Sequence, residues 1–155
     1  MGFVRVVIGF VLAWAVGLVV FSVTHTQFVI QRMTGLGVPI SIQERLDWTM
    51  TDLVGLNDFS APSEILPVIL LIALLVGFGV AAGLTRLFRG LRLPVFLTAG
   101  FCAVVALLLV LETALGLMPI AGARGLGPQL VHGLAGLVAG AVFVTLTAPP
   151  RRASA

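Results

Sequence analysis

Four runs of about 20 apolar residues divide this chain, and they leave it few ways to fold. They cover residues 6–23, 65–84, 95–117 and 130–146. A helix of that length crosses the hydrocarbon core of a bilayer, where every backbone donor and acceptor has to be satisfied internally. Composition closes the soluble alternative. Of the 155 residues, 59% are hydrophobic and 10% are charged, against about 25% charged in a soluble domain. The expected fold is an all-α membrane protein, a four-transmembrane-helix bundle in a single integral domain over residues 1–155.

Proline marks the run boundaries. Pro94 precedes the third run, Pro119 follows it, and Pro149 and Pro150 end the fourth; proline lacks the N–H that a helix interior requires. The first run exceeds the roughly 7–15 apolar residues of a signal peptide and has no good small-x-small cleavage site, so it reads as a retained anchor. All nine basic residues are arginine. With four spans, Arg5, Arg86, Arg89, Arg92, Arg151 and Arg152 fall on one side, and Arg32, Arg45 and Arg124 on the other. The arginine-rich side is expected to be cytoplasmic, with both termini inside and the long loop 24–64 outside. These charges sit at helix ends and form no nucleic-acid-binding stripe, so no nucleic-acid partner is expected.

A structureless loop of about 40 residues would be unusual, and "SIQERLDWTMTDLVGL" supplies structure. Ser41 followed by Glu44 is a capping-box pattern. Ile42, Leu46 and Leu53 recur at helical spacing, giving an amphipathic helix over residues 42–54 with that face toward lipid or the bundle and Trp48 as an interfacial anchor. We expect it to lie along the membrane surface or cap the bundle. Upstream, "TQFVIQRM" either extends the first span or forms a short interfacial helix. The loop holds five of the six acids, Glu44, Asp47, Asp52, Asp58 and Glu64.

Helices in lipid associate through small residues that allow close approach. Each run carries such a stripe: Gly9, Ala13 and Gly17 in the first, Gly79 and Gly83 in the second, Ala99, Ala103 and Ala106 in the third, Gly136 and Gly140 in the fourth. These are expected to pack the bundle. The alternative is that one stripe, on the second run, meets a second protein or copy.

The sixth acid, Glu112, lies near the end of the third run, and His132 lies near the start of the fourth. The two runs are antiparallel and share a short loop, so both residues are expected at matching depth and in direct or water-bridged contact. Arg124 in that loop is a further partner for Glu112. Ionisable groups inside a membrane are candidates for function, yet the same pair serves equally as interhelical polar glue. A lone cysteine, Cys102, excludes an intrachain disulfide or a CxxC centre and reads as a packed apolar residue. Two histidines are too few for a zinc site, and no phosphate loop, nucleophile elbow or HExxH is present. No cofactor or metal is expected, and no catalytic residue.

The segments "TQFVIQRMTGLG", "TDLVGL" and "PIAGAR" resemble those of small four-span membrane proteins of high-GC proteobacteria. That resemblance implies a bacterial inner membrane and carries no activity and no site residues. Small multidrug exporters also have four spans and a membrane glutamate, but they lack a 40-residue outer loop and place the acid in their first span. The expectation is a non-catalytic subunit or assembly factor whose partners are the lipid bilayer and either another membrane protein or a second copy. The alternative is a small proton-coupled transporter using Glu112 and His132.

Overall fold

The structure, a computed structural model, describes residues 2–55, 66–87 and 90–148. The start of the second run at Ile65 and the residues Asp58, Glu64, Arg89, Pro149, Pro150, Arg151 and Arg152 lie outside the described residues. Among the described residues all regular structure is helical: α1 (Phe3–Gly35), α2 (Ile42–Gly55), α3 (Leu66–Leu87), α4 (Arg92–Leu115), a short 3-10 turn (Ala121–Ala123) and α5 (Leu126–Thr147). Helices α1, α3, α4 and α5 are long and apolar enough to cross a membrane, as expected for a multi-pass membrane protein.

Helix α1 continues to Gly35, well past the expected end at residue 23. No breaker interrupts "TQFVIQRM", and Thr24 and Thr34 turn their hydroxyls back onto the helix carbonyls of Val20 and Ile30. At 1.5 Å per residue its 33 residues reach about 50 Å, against a hydrocarbon thickness of about 30 Å. The helix stops where Gly37 takes a positive φ of 84° and Val38 N–H donates back to the Met33 carbonyl.

Helix α2 begins with the capping box read from sequence. Glu44 Oε2 accepts from both the Ser41 N–H and its hydroxyl at 2.7 Å, and Glu44 N–H donates to Ser41 Oγ at 3.3 Å. These bonds hold the Glu44 carboxyl below the usual glutamate range. The helix then folds back on α1. Thr26 Oγ1 donates to Asp52 Oδ2 at 2.8 Å and Gln27 Nε2 to Thr49 Oγ1 at 3.4 Å. Both pairs are centred on the turn near Val38 and Pro39, so α1 and α2 make an antiparallel hairpin. The helix expected along the membrane surface or capping the bundle therefore packs beside the extension of α1. The side facing α1 is Arg45, Thr49, Asp52 and Leu53, whereas Ile42 and Leu46 are exposed by 78% and 52%, together with Trp48, Met50 and Val54. Of the expected apolar face only Leu53 turns inward, because the polar bonds to Thr26 and Gln27 set the rotation of α2.

The tightest packing is between α4 and α5. Gly100 and Gly136 meet backbone to backbone, and a methyl group on either would overlap the other's carbonyl; Gly140 meets the Phe96 carbonyl in the same way. On the other side of α5, Gly9 and Gly17 let α1 close on Thr147 and Ala139. Below these contacts Phe78, Phe96 and Phe143 fill the core with centroids 5.0–5.5 Å apart, and Phe10 meets Phe78 edge-on at 6.0 Å. Arg5 donates to the Leu146 carbonyl at 2.9 Å and Arg92 to the Thr147 carbonyl at 3.1 Å, so two arginines cap the C-terminus of α5.

The stripe on α3 behaves differently. Among the described residues nothing lies within 4 Å of a methyl group built on Gly79 or Gly83, and both are exposed. The expectation that this pair packs the bundle is corrected. It is Gly77 that meets α4, against the Ala103 side chain and the Ala99 carbonyl. Cys102 is likewise exposed rather than packed.

Candidate functional site

Polar side chains collect at the end of the bundle that carries the α1–α2 hairpin and the α4–α5 loop. Gly116 ends α4 in the left-handed conformation, with φ at 67°. Helix α5 starts at Leu126 rather than near residue 130, because Pro128 sits in its first turn, where a missing N–H costs nothing. That earlier start changes which residues share a depth. Glu112 is three residues from the end of α4 and Gln129 three from the start of α5, whereas His132 lies about one turn deeper.

Gln129 Nε2 accordingly donates to Glu112 Oε2 at 2.5 Å. The direct hydrogen bond of Glu112 is thus to Gln129 rather than to His132. Arg124 does not reach Glu112 either; its Nε points to the Met118 carbonyl at 3.3 Å. His132 is fully buried and faces α1. Its ring lies 4.6 Å from Phe21 edge-on and 5.8 Å from Phe28 in a stacked arrangement, and its Nδ1 bonds the Pro128 carbonyl at 2.7 Å.

Helix α1 supplies the rest of the cluster. Phe21, His25, Phe28 and Arg32 recur at helical spacing and share one face. Arg32 donates to the Ala121 carbonyl at 2.7 Å and also to that of Arg124, which pins the loop against α1. His25 sits under the 3-10 turn. A methyl group on Gly122 would come within 2.6 Å of the His25 carbonyl and 2.8 Å of its Nδ1, so only glycine fits there. Asp52 approaches from α2 through Thr26, the neighbour of His25.

Sequence reasoning therefore found Glu112 and His132, and put His25 on the same side as His132, but missed Gln129, Arg32 and Asp52 at this end. The i, i+4, i+7, i+11 spacing of Phe21, His25, Phe28 and Arg32 was the available signal, and it becomes visible only once "TQFVIQRM" is taken as part of α1. Among the described residues no group of three or more histidine, cysteine or acidic side chains is placed to hold a metal ion.

No protein-family model, curated protein or solved structure matches this chain. The candidate site thus rests on its own geometry.

Proposed function

We propose that this chain is a non-catalytic subunit or assembly factor of an inner-membrane complex, and that α3 offers its unpacked side to a membrane-protein partner. The observation that carries this reading is the bare face of α3. Gly79 and Gly83 have the spacing that brings transmembrane helices together, yet among the described residues nothing lies within 4 Å of a methyl group built on either. Beside them runs an apolar groove of about 640 Å³ between α3 and α4, floored by Gly77, Ala99, Cys102, Ala103 and Ala106. Small residues along a groove favour a helix as the occupant. The apolar middle of the bundle, closed by Phe78, Phe96 and Phe143, supports this reading over a transporter.

The test is purification from native membranes in mild detergent. A membrane protein should co-purify at fixed stoichiometry, and Gly79→Leu with Gly83→Leu should release it. Those substitutions enter open space, so the bundle itself should remain folded. Recovery of the chain alone, or retention of the partner by the double variant, would overturn the reading.

We also propose that both termini are cytoplasmic. Arg5 and Arg92 share the end opposite the hairpin, and Arg86, Arg89, Arg151 and Arg152 follow it in a four-span chain. A periplasm-dependent reporter fused after Ala155 should stay inactive; strong activity would reverse the topology.

A further inference from the structure

Among the described residues, three buried polar atoms at the hairpin end have no hydrogen-bond partner: His25 Nδ1, Gln129 Oε1 and His132 Nε2. Gln129 and His132 are 1% and 0% exposed, so neither side chain is in contact with bulk solvent. Folded proteins rarely leave such atoms bare, and where no side chain reaches them an ordered water does. The roles of the three atoms can be assigned. A carbonyl only accepts, so the bond to Pro128 places the proton of His132 on Nδ1, and in the neutral ring Nε2 holds the lone pair. Gln129 gives its amide N–H to Glu112, so its carbonyl oxygen is an acceptor. With its proton on Nδ1, His25 supplies the donor. Two acceptors and one donor are the complement of a water molecule, which offers two hydrogens and a lone pair.

His132 packs on Phe21 and Phe28, which flank His25 on the same face of α1. His25 is half-buried, with its Nδ1 enclosed. We propose that His25, Gln129 and His132 bind one buried water between α1 and α5, and that His132 exchanges protons with solvent at the hairpin end through this water and His25. A proton taken up at His25 Nε2 is matched by one leaving Nδ1 for the water, which passes one of its own to His132 Nε2. No electron moves and no co-reactant is required. Phe28 stacks on the resulting imidazolium, an arrangement that favours a cation. The charged groups around the site are Asp52 on α2, Glu112 on α4, Arg32 on α1 and Arg124 in the α4–α5 loop. Of these, Glu112 is engaged by Gln129, and Arg32 and Arg124 by loop carbonyls. Asp52 is held by Thr26, which leaves the half-buried His25 as the ring between His132 and solvent.

The chain has two histidines and both lie in this site, so nitrogen-15 labelling of histidine reports on it alone. The experiment is water-edited solid-state NMR of the full chain in liposomes, followed across pH. Water magnetisation should reach His132 Nε2 despite its burial, and the His132 signals should titrate. His25→Phe should abolish both while circular dichroism stays unchanged. His25→Gln, which keeps a hydrogen-bonding arm without a titrating ring, should retain the water contact and lose the proton exchange, and it serves if the phenylalanine variant does not fold. A His132 that receives no water magnetisation in the native protein overturns the proposal, as does a titration that neither His25 variant alters.

Discussion

Replacing Gly136 with leucine is expected to destabilise the bundle by at least about 3 kcal/mol, since overpacking commonly costs about 1–3 kcal/mol and here the obstruction is backbone. Gly136 and Gly100 face each other across α4 and α5 so closely that even a first carbon on either overlaps the opposing carbonyl. A flexible side chain can move aside, but a helix backbone can do so only by separating the two helices. Separation would also unstack Phe96 from Phe143, which lie 5.0 Å apart. Gly79→Leu is the matched control: it has the same chemistry in a transmembrane helix, with nothing within 4 Å, and should leave stability nearly unchanged. Unfolding in mixed micelles of rising SDS content, followed by circular dichroism, separates the two. A Gly136→Leu protein as stable as the native one would show that α4 and α5 do not meet at this pair.

Gln129→Leu is expected to cost about 2 kcal/mol, because a hydrogen bond to a charged group contributes more than a neutral one and its loss leaves the Glu112 carboxylate without its donor. Glu112→Leu alone should be milder, since Gln129 then loses a partner but holds no charge. In the double variant the costs should fall short of their sum by about 1–2 kcal/mol, above the roughly 0.6 kcal/mol average for intramembrane contacts because the acceptor is an acid. The same cycle run between Glu112 and His132 should show the smaller coupling, as the histidine bonds Pro128 and packs on Phe21 and Phe28. A larger coupling to His132 than to Gln129 would restore the pairing that sequence depth alone suggested.

The difference between those two pairings shows where a sequence stops being informative. Apolar run lengths located α3, α4 and α5 to within a few residues, which is enough for topology. At about 1.5 Å per residue, however, a four-residue error in where α5 begins moves every side chain by more than a turn. Pro128 was the cue to the earlier start. A proline is as compatible with a first turn as with a boundary, and nothing in "GLGPQLVHGL" chooses between them. Helix α2 was legible for the opposite reason: its capping box is a local interaction among Ser41 and Glu44, complete within one turn.

What the sequence determined by itself was set by solvent and by local chemistry. Four runs of continuous hydrophobicity require four helices in a bilayer, because no other open structure satisfies its own backbone there, and Ser41 with Glu44 starts a fifth. What only the tertiary structure decided was which faces meet. Two stripes share the GxxxG spacing, yet Gly136 and Gly140 are clamped against α4 while Gly79 and Gly83 face outward. The same uncertainty applied to Glu112, whose partner depended on the register of α4 against α5. Spacing along one helix defines a face, but in lipid there is no hydrophobic drive to say which face turns inward. The choice falls to close packing between helices distant in sequence, as where Gly100 meets Gly136, and to single polar bonds such as that from Gln129 to Glu112.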